Sequence, residues 1–423
     1  MTIATKELSL LTRTDQKFVE SLFKRYYLEK ADTVYIPERI NEREFGYFPF
    51  EEKTMIRHLY IDSPDKLREF LIKNNPLHVY HSAAFYKYPS APMEEKEWMG
   101  AELAFDIDAD HLKTLCRREH DFKVCSKCFT AYPNQADRCS KCDGVLIDIE
   151  WVCESCLEAA KQETIKLIDF LEGDLGFKKI RITFSGNRGY HIVIMDEEVL
   201  ELGQLERKEI VDYITGTGIS LRVMGLIEDP KKDKATKISG PDISDPGWRG
   251  RIARASIELA IRSNATELSE LLSIDYMLAQ KYVDVLRRHS EEWSERCAWD
   301  TLPRSVVALL GKAAANYASA KIDVVVTSDI HRLIRLANTL NGKSGLLAKT
   351  IKLNELEDFD PFLQATVLPY DRTVEVRVLR APRFKILGEE FGPYEDIVIR
   401  LPVAVATFLI AKNVATLSKP ATN

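Results

Sequence analysis

The sequence predicts a mixed α/β (α+β) domain built from both ends of the chain, interrupted by a cysteine-rich insert and a helical insert. Three observations carry this reading. Strand-like alternation and short amphipathic helices fill residues 34–108 and return after residue 320. Seven of the eight cysteines fall within residues 116–156. Residues 200–320 are instead rich in Leu, Glu, Arg and Ala at helical spacing. The domain boundaries expected are 1–200 for the first part of the core with the insert 116–156 inside it, 201–319 for the helical subdomain, and 320–423 for the second part of the core. A chain of 423 residues is long enough for two or three such units.

Taken in order, the N-terminal region holds an amphipathic helix over Phe18–Tyr27, and "KTMIRHLYI" (53–61) reads as a strand. "SPDKLREFLIKNN" reads as a capped helix, and "PLHVYHSAAFYKYP" as one further strand. "KKIRITFSGNRGYHIVIMD" (178–196) reads as strand, tight turn, strand. "EDPKKDKATKISG" is a charged loop within the helical stretch. "AKIDVVVTSD" (320–329) and "RTVEVRVL" (372–379) are strand signals, and "LPVAVATFLIAKNVATL" is read as a buried helix.

The balance of 59 Lys and Arg against 65 Asp and Glu gives a net charge of −6, which does not support a general grip on long nucleic acid. A local basic cleft remains compatible with it. No apolar run approaches the roughly 18 residues of a membrane span, and no signal peptide is visible, so a soluble cytoplasmic protein without membrane contact is expected.

In the insert, Cys116, Cys125, Cys128, Cys139, Cys142, Cys153 and Cys156 stand with His120, which makes eight ligands. That number suits two tetrahedral zinc sites, and in an intracellular protein the spacing favours metal over disulfides. Cys125, Cys128, Cys139 and Cys142 have the spacing of a zinc ribbon; Cys116, His120, Cys153 and Cys156 would form an outer site around it. One zinc with leftover thiols, or reduced structural cysteines, are the alternatives. Cys297 reads as a small core residue.

"AELAFDIDADH" (101–111) places Asp106 and Asp108 on one face of a strand, one pleat repeat apart. Like charges so close call for a positive partner. Mg²⁺ or Mn²⁺ fits, because hard cations take oxygen ligands and keep positions open for phosphate. Asp323 in "KIDVVVT" is the candidate third carboxylate. In "SGNRGYH" (185–191), Ser185, Gly186 and Gly189 let backbone approach an anion, Arg188 can bind phosphate bidentately, and His191 can donate to the same group. Arg335 and Lys343 in "DIHRLIRLANTLNGKSGL" add positive charge, in a segment that does not fit the G-x4-GK[ST] pattern. Together these residues point to metal-assisted handling of a nucleoside triphosphate.

On "REFGYF", "IRHLYI", "WMGAELAFDID", the Cys/His cluster, "FSGNRGYH", "GWRGRIAR" and "KIDVVVTSDIHRLIRLANTLNGKSG", the chain resembles the catalytic (small) subunit of archaeal and eukaryotic DNA primases, in its archaeal form. The resemblance implies a primase catalytic core with a zinc knuckle and a helical subdomain. It implies a nucleotidyltransferase that makes short RNA or DNA primers on single-stranded DNA from NTPs or dNTPs for replication, working with a large subunit. By motif position, Asp106, Asp108 and Asp323 become the Mg²⁺ or Mn²⁺ ligands. Ser185, Arg188 and His191 become the triphosphate site, with Arg335 assisting. The family's knuckle corresponds to Cys116, His120, Cys153 and Cys156, which makes the inner four-cysteine ribbon an addition. The sequence departs from the pattern at Asn341, where a histidine often stands. A repair primase-polymerase, a metal-dependent glycosyltransferase and a non-catalytic zinc-ribbon nucleic-acid binder are the competing readings.

Overall fold

The computed structural model describes residues 12–418 apart from positions 53, 113, 115, 150, 228–239, 263, 289–296 and 298. Nearly all of the charged loop singled out at 228–240 therefore lies outside the described residues. Contacts divide the chain into two units, one formed by residues 1–165, 177–207 and 322–423, the other by residues 166–176 and 208–321.

The first unit contains helices and several antiparallel sheets. In one sheet, β3 (His78–Ser82) lies between β1 (Glu44–Phe48) and β12 (Leu333–Arg335), and β2 (Ile56–Tyr60) forms the far edge. A second sheet has the order β13 (Thr350–Ile351), β10 (Ile180–Phe184), β11 (Gly189–Ile194), β6 (Leu103–Asp108). Both sheets thus join strands from before residue 110 or 200 to strands from after residue 330. Ile334 of β12 packs with Ala83, Ala104 and Val193, so the two sheets meet on the β6 face that also carries Asp106 and Asp108.

Local sequence explains many of the elements. Thr12 and Asp15 form a capping box on the helix Arg13–Lys30. Ser63 caps the helix Pro64–Asn74, with Pro64 in the first turn and Asn75 left-handed at the other end. The expected single strand over "PLHVYHSAAFYKYP" is broken at Ala83. Its N–H bonds to the Arg332 carbonyl and its carbonyl accepts from Glu102, so β3 pairs in one sheet while β4 (Ala84–Tyr86) pairs with β5 (Trp98–Ala101). Glu102, between β5 and β6, is buried and paired with Arg43 at 2.6 Å. Arg207 donates to the carbonyls of Ala101 and Glu102 at 2.7 and 3.0 Å. Loss of one partner from such a buried pair typically costs about 3–5 kcal/mol, so this junction holds the start of the acidic strand firmly.

The C-terminal apolar run is shorter as a helix than its sequence predicts. The helix Val403–Ala411 is buried on every side, but it begins where Pro402 ends β17 (Tyr394–Pro402) and stops before Asn413, which is left-handed. The chain then forms β18 (Ala415–Leu417) beside β14 (Thr373–Ala381), and the Leu417 N–H donates to the buried Asp15 carboxylate at 2.7 Å. β15 (Phe384–Ile386) and β16 (Glu389–Phe391) form a small hairpin between β14 and β17.

In the second unit, the helices Gly247–Arg262, Ala265–Leu272, Tyr276–Arg288 and Arg304–Ala318 bury Trp248, Ile252, Leu268, Val283 and Leu310. Arg251 bonds Asp174 at 2.7 Å there, and Cys297 is a buried core residue. No helix of the described residues is long and apolar enough to cross a membrane.

Candidate active site and metal clusters

Alternation along β6 buries Phe105 and Ile107 and leaves Asp106 and Asp108 partly open on the other face. In the antiparallel register with β11, Asp106 lies opposite His191 and Asp108 opposite Gly189. His191 Nδ1 sits 3.2 Å from Asp106 Oδ1. A side chain at residue 189 would place its Cβ 2.0 Å from the Ile107 carbonyl oxygen, which requires glycine there. Gly186 has φ +78°, and a Cβ would come within 2.8 Å of Asn341. These glycines therefore serve close packing of the hairpin onto β6 and the 341–346 loop, a reason the sequence reading did not supply. Ser185 Oγ accepts the N–H groups of Asn187 and Gly189 at 3.3 and 3.2 Å and closes the turn.

The hairpin register also delivers Arg188. Its guanidinium lies 2.7 Å from Asp110 and 3.6 Å from Asp108. Burial pushes the Asp108 carboxyl up to about 6, with Asp110 and Asp106 adding to the rise and Arg188 opposing it. Burial alone would raise Asp106 too, but His191 and Arg332 outweigh it and hold that carboxyl below its ordinary value. Asp108 Oδ1 and Asp110 Oδ1 are buried without a hydrogen-bond partner among the described residues.

Asp323 departs from expectation in its local structure. The run "DVVVT" favours a strand by propensity, yet Asp323 is the N-cap of the helix Val324–Ser328 and accepts the N–H groups of Val325 and Val326 at 2.9 and 3.3 Å. Capping and the burial of Val326 and Thr327 override the β-branched preference. The Asp323 N–H donates to the Asp106 carbonyl at 2.9 Å, so the residue still joins the acidic strand. Among the described residues, the three aspartates do not form a group with all ligand oxygens within 4.8 Å of one another.

Arg335 comes from the other sheet. It donates to His78 Nδ1 at 2.8 Å and to Tyr80 Oη at 3.0 Å, while its Nη1 is buried without a partner. Burial, followed by Arg335 and Lys343, pushes His78 well below its ordinary value, so it accepts as a neutral ring. Lys343 is exposed, and its backbone N–H donates to Asn341 Oδ1 at 2.9 Å. Asn341 Nδ2 donates to the Ser185 carbonyl at 2.9 Å. One end of this buried amide thus holds its own loop in shape and the other ties that loop to Ser185. Asn341→Ala is expected to destabilise the chain by about 1–3 kcal/mol through the unpaired Ser185 and Lys343 groups, checked by thermal unfolding.

Sequence reasoning passed over Asp110, His78, Tyr80 and Arg332. Asp110 was legible two residues beyond Asp108 in "DIDAD". His78 and Tyr80 carry no motif, because Arg335 reaches them only through the pairing of β12 with β3.

The insert forms two ligand clusters, Cys116/His120/Cys153/Cys156 and Cys125/Cys128/Cys139/Cys142, each with its ligand atoms within 4.8 Å. Four soft ligands per cluster suit structural zinc. His120 turns Nε2 to Cys156 Sγ at 3.3 Å, while its Nδ1 meets Asp121 at 2.9 Å, the outer-shell bond that orients a ligating histidine. In the inner cluster, a Cβ on Gly144 would lie 2.7 Å from Cys125 Sγ. The inner cluster is carried by β7 (Phe122–Cys125), flanked by β8 (Ala131–Pro133) and β9 (Leu146–Ile149).

Residues 105–353 match the family described as DNA primase small subunit, a class of nucleotidyltransferase-type enzymes that make primers for DNA replication. DNA primase small subunit PriS of Nitrosopumilus maritimus is 35% identical, over 96% of this chain and 100% of that protein. PriS of Methanococcoides burtonii is 33% identical over 94% of this chain and 97% of that protein, and PriS of Cenarchaeum symbiosum 33% over 93% and 96%. The chain belongs to the DNA primase small subunit family.

Proposed function

We propose that the face of β6 is the nucleotidyl-transfer centre, with Asp106, Asp108 and Asp323 holding Mg²⁺ or Mn²⁺. The register of β6 with β11 carries this reading, because it pairs His191 with Asp106 and Gly189 with Asp108, which brings the Arg188 guanidinium within 3.6 Å of Asp108. Asp108 Oδ1, which accepts no hydrogen bond, and the raised Asp108 carboxyl fit a cation ligand: burial is the main cause of the rise, Asp110 and Asp106 add to it, and Arg188 at 3.6 Å offsets it only in part. When bound, such ions lower the pKa of a primer 3′-hydroxyl and neutralise charge on the phosphates. Arg188, His191, Ser185, Arg335 and Lys343 hold the triphosphate. Arg188 supplies a bidentate fork, and Arg335 a permanent charge with one unpartnered N–H-bearing nitrogen. Holding the reactants in line lets positioning supply much of the rate. The two Cys/His clusters each take one structural Zn²⁺.

On this reading the chain works inside the cell with a primase large subunit, copying single-stranded DNA template into short RNA or DNA primers from NTPs or dNTPs. The purified chain is expected to extend a primed homopolymer template with the complementary nucleotide alone, in the presence of Mg²⁺ or Mn²⁺. Incorporation indifferent to template, or transfer of sugar from a nucleotide-sugar, would overturn it.

A further inference from the structure

We infer that Arg117 is a positioning residue that couples the outer Cys/His cluster to the triphosphate arginine, Arg188, through Asp121 on one side and Asp110 on the other. The inference deepens the proposed function and rests on its assignment of Arg188 to the nucleotide.

The connection is a continuous run of short contacts. His120 of the outer cluster meets Asp121 Oδ1 at 2.9 Å. Asp121 Oδ2 accepts from Arg117 Nε at 3.1 Å. Arg117 Nη1 donates to the backbone carbonyl of Asp110 at 2.6 Å. The Asp110 carboxylate holds Arg188 Nη2 at 2.7 Å. Asp110 lies in the short turn Ala109–His111 that directly follows β6, so Arg117 braces the turn that aims the Asp110 carboxylate. A small pocket is lined by Asp110, Arg117, Asp121, Trp151, Cys156 and Arg188 among others, so the cluster ligand Cys156 and the arginine border one space.

Arg117 has the geometry for this task and lysine does not. Its planar fork spans two acceptors at once, the Asp121 carboxylate and the Asp110 carbonyl. None of the cluster ligands is altered by changing it. Its role is therefore separable from metal binding, whereas a change at His120 would confound the two.

The test uses the full chain with its zinc and measures zinc per chain, equilibrium binding of a nucleoside triphosphate with Mg²⁺, and the KM and kcat of primed-template extension. Arg117→Gln is expected to keep its zinc, weaken nucleotide binding and raise nucleotide KM by about tenfold, the scale of lost outer-shell support, with kcat nearly unchanged. In an Arg188→Ala background the same change should add little, because both act through one contact. Linkage gives a second readout: bound triphosphate should tighten zinc binding at the outer cluster, read as a higher chelator concentration needed at equilibrium to remove it, in the natural chain and not in Arg117→Gln. Should Arg117→Gln fail to fold or lose its zinc, Arg117→Lys, which keeps charge beside Asp121 without spanning to Asp110, carries the same comparison. Unchanged KM in these variants while Arg188→Ala raises it, or fully additive effects, would overturn the coupling and leave the assignment of Arg188 standing. No effect of Arg188→Ala itself would remove that assignment and the coupling with it.

Discussion

Asp106→Asn, Asp108→Asn and Asp323→Asn each reduce primer extension by about 10²–10³-fold or more, the scale of losing one preorganised charge in an active site, while the chain stays folded. Asparagine offers a ligand oxygen without the charge that offsets a divalent ion and a triphosphate. The structure indicates why each fold should survive. Asn caps a helix about as well as Asp, so Asp323→Asn retains the bonds to Val325 and Val326. Asp108→Asn removes one of three crowded carboxylates, which relieves repulsion with Asp106 and Asp110. Asp106→Asn keeps an acceptor for His191. Extension assays beside thermal unfolding decide the matter. Full elongation by any one folded variant would end the assignment of that aspartate.

Protein purified without added zinc is expected to carry about two equivalents, from the four ligands per site of structural zinc. Cys153→Ser should then lose one equivalent and the order of the insert, because a structural zinc contributes on the order of 10 kcal/mol to a small site, comparable with the whole stability of a typical domain. Deleting residues 125–142 should also lose one equivalent, with catalysis retained. β7 residues 122–124 can still pair with residues 147–149 of β9, with Asp143, Gly144, Val145 and Leu146 left to close the turn. Metal analysis, limited proteolysis and extension assays read all three outcomes. A single equivalent in the intact chain would exclude paired zinc sites.

What the sequence made legible was local and periodic. Leu103, Phe105 and Ile107 alternate with Ala104, Asp106 and Asp108, and that period alone placed both aspartates on one face. Glycines flanking "NR" marked the hairpin, and Cys-x2-Cys spacing marked the two clusters. What it hid depended on partners distant in the chain. Nothing near "DVVVT" announces that Asp323 will spend its carboxylate on two N–H groups and turn three valines helical. The break at Ala83 exists because its N–H goes to Arg332 and its carbonyl to Glu102, 249 and 19 residues away. At Asn341, where the sequence departs from the family pattern, nothing nearby announces that its amide bonds both the Ser185 carbonyl and the Lys343 N–H. The C-terminal run looked uniformly helical because its apolar composition masks Pro402 and the left-handed Asn413.

The bond from the Leu417 N–H to Asp15 joins positions 402 apart in sequence and closes the first unit on itself. Asp15 is wholly buried and shared between the Thr12 cap and this bond. During synthesis the helix Arg13–Lys30 must therefore wait for Leu417 to leave the ribosome before its carboxylate finds its last partner. The helical unit, encoded within residues 166–321, has emerged well before that moment and can settle first. The sheet that holds the acidic strand is begun early and completed late, because its far strand β13 arrives more than 240 residues after β6. Such long-range closure makes for slow folding, and it delays assembly of the site until Arg335 and Lys343 have been made.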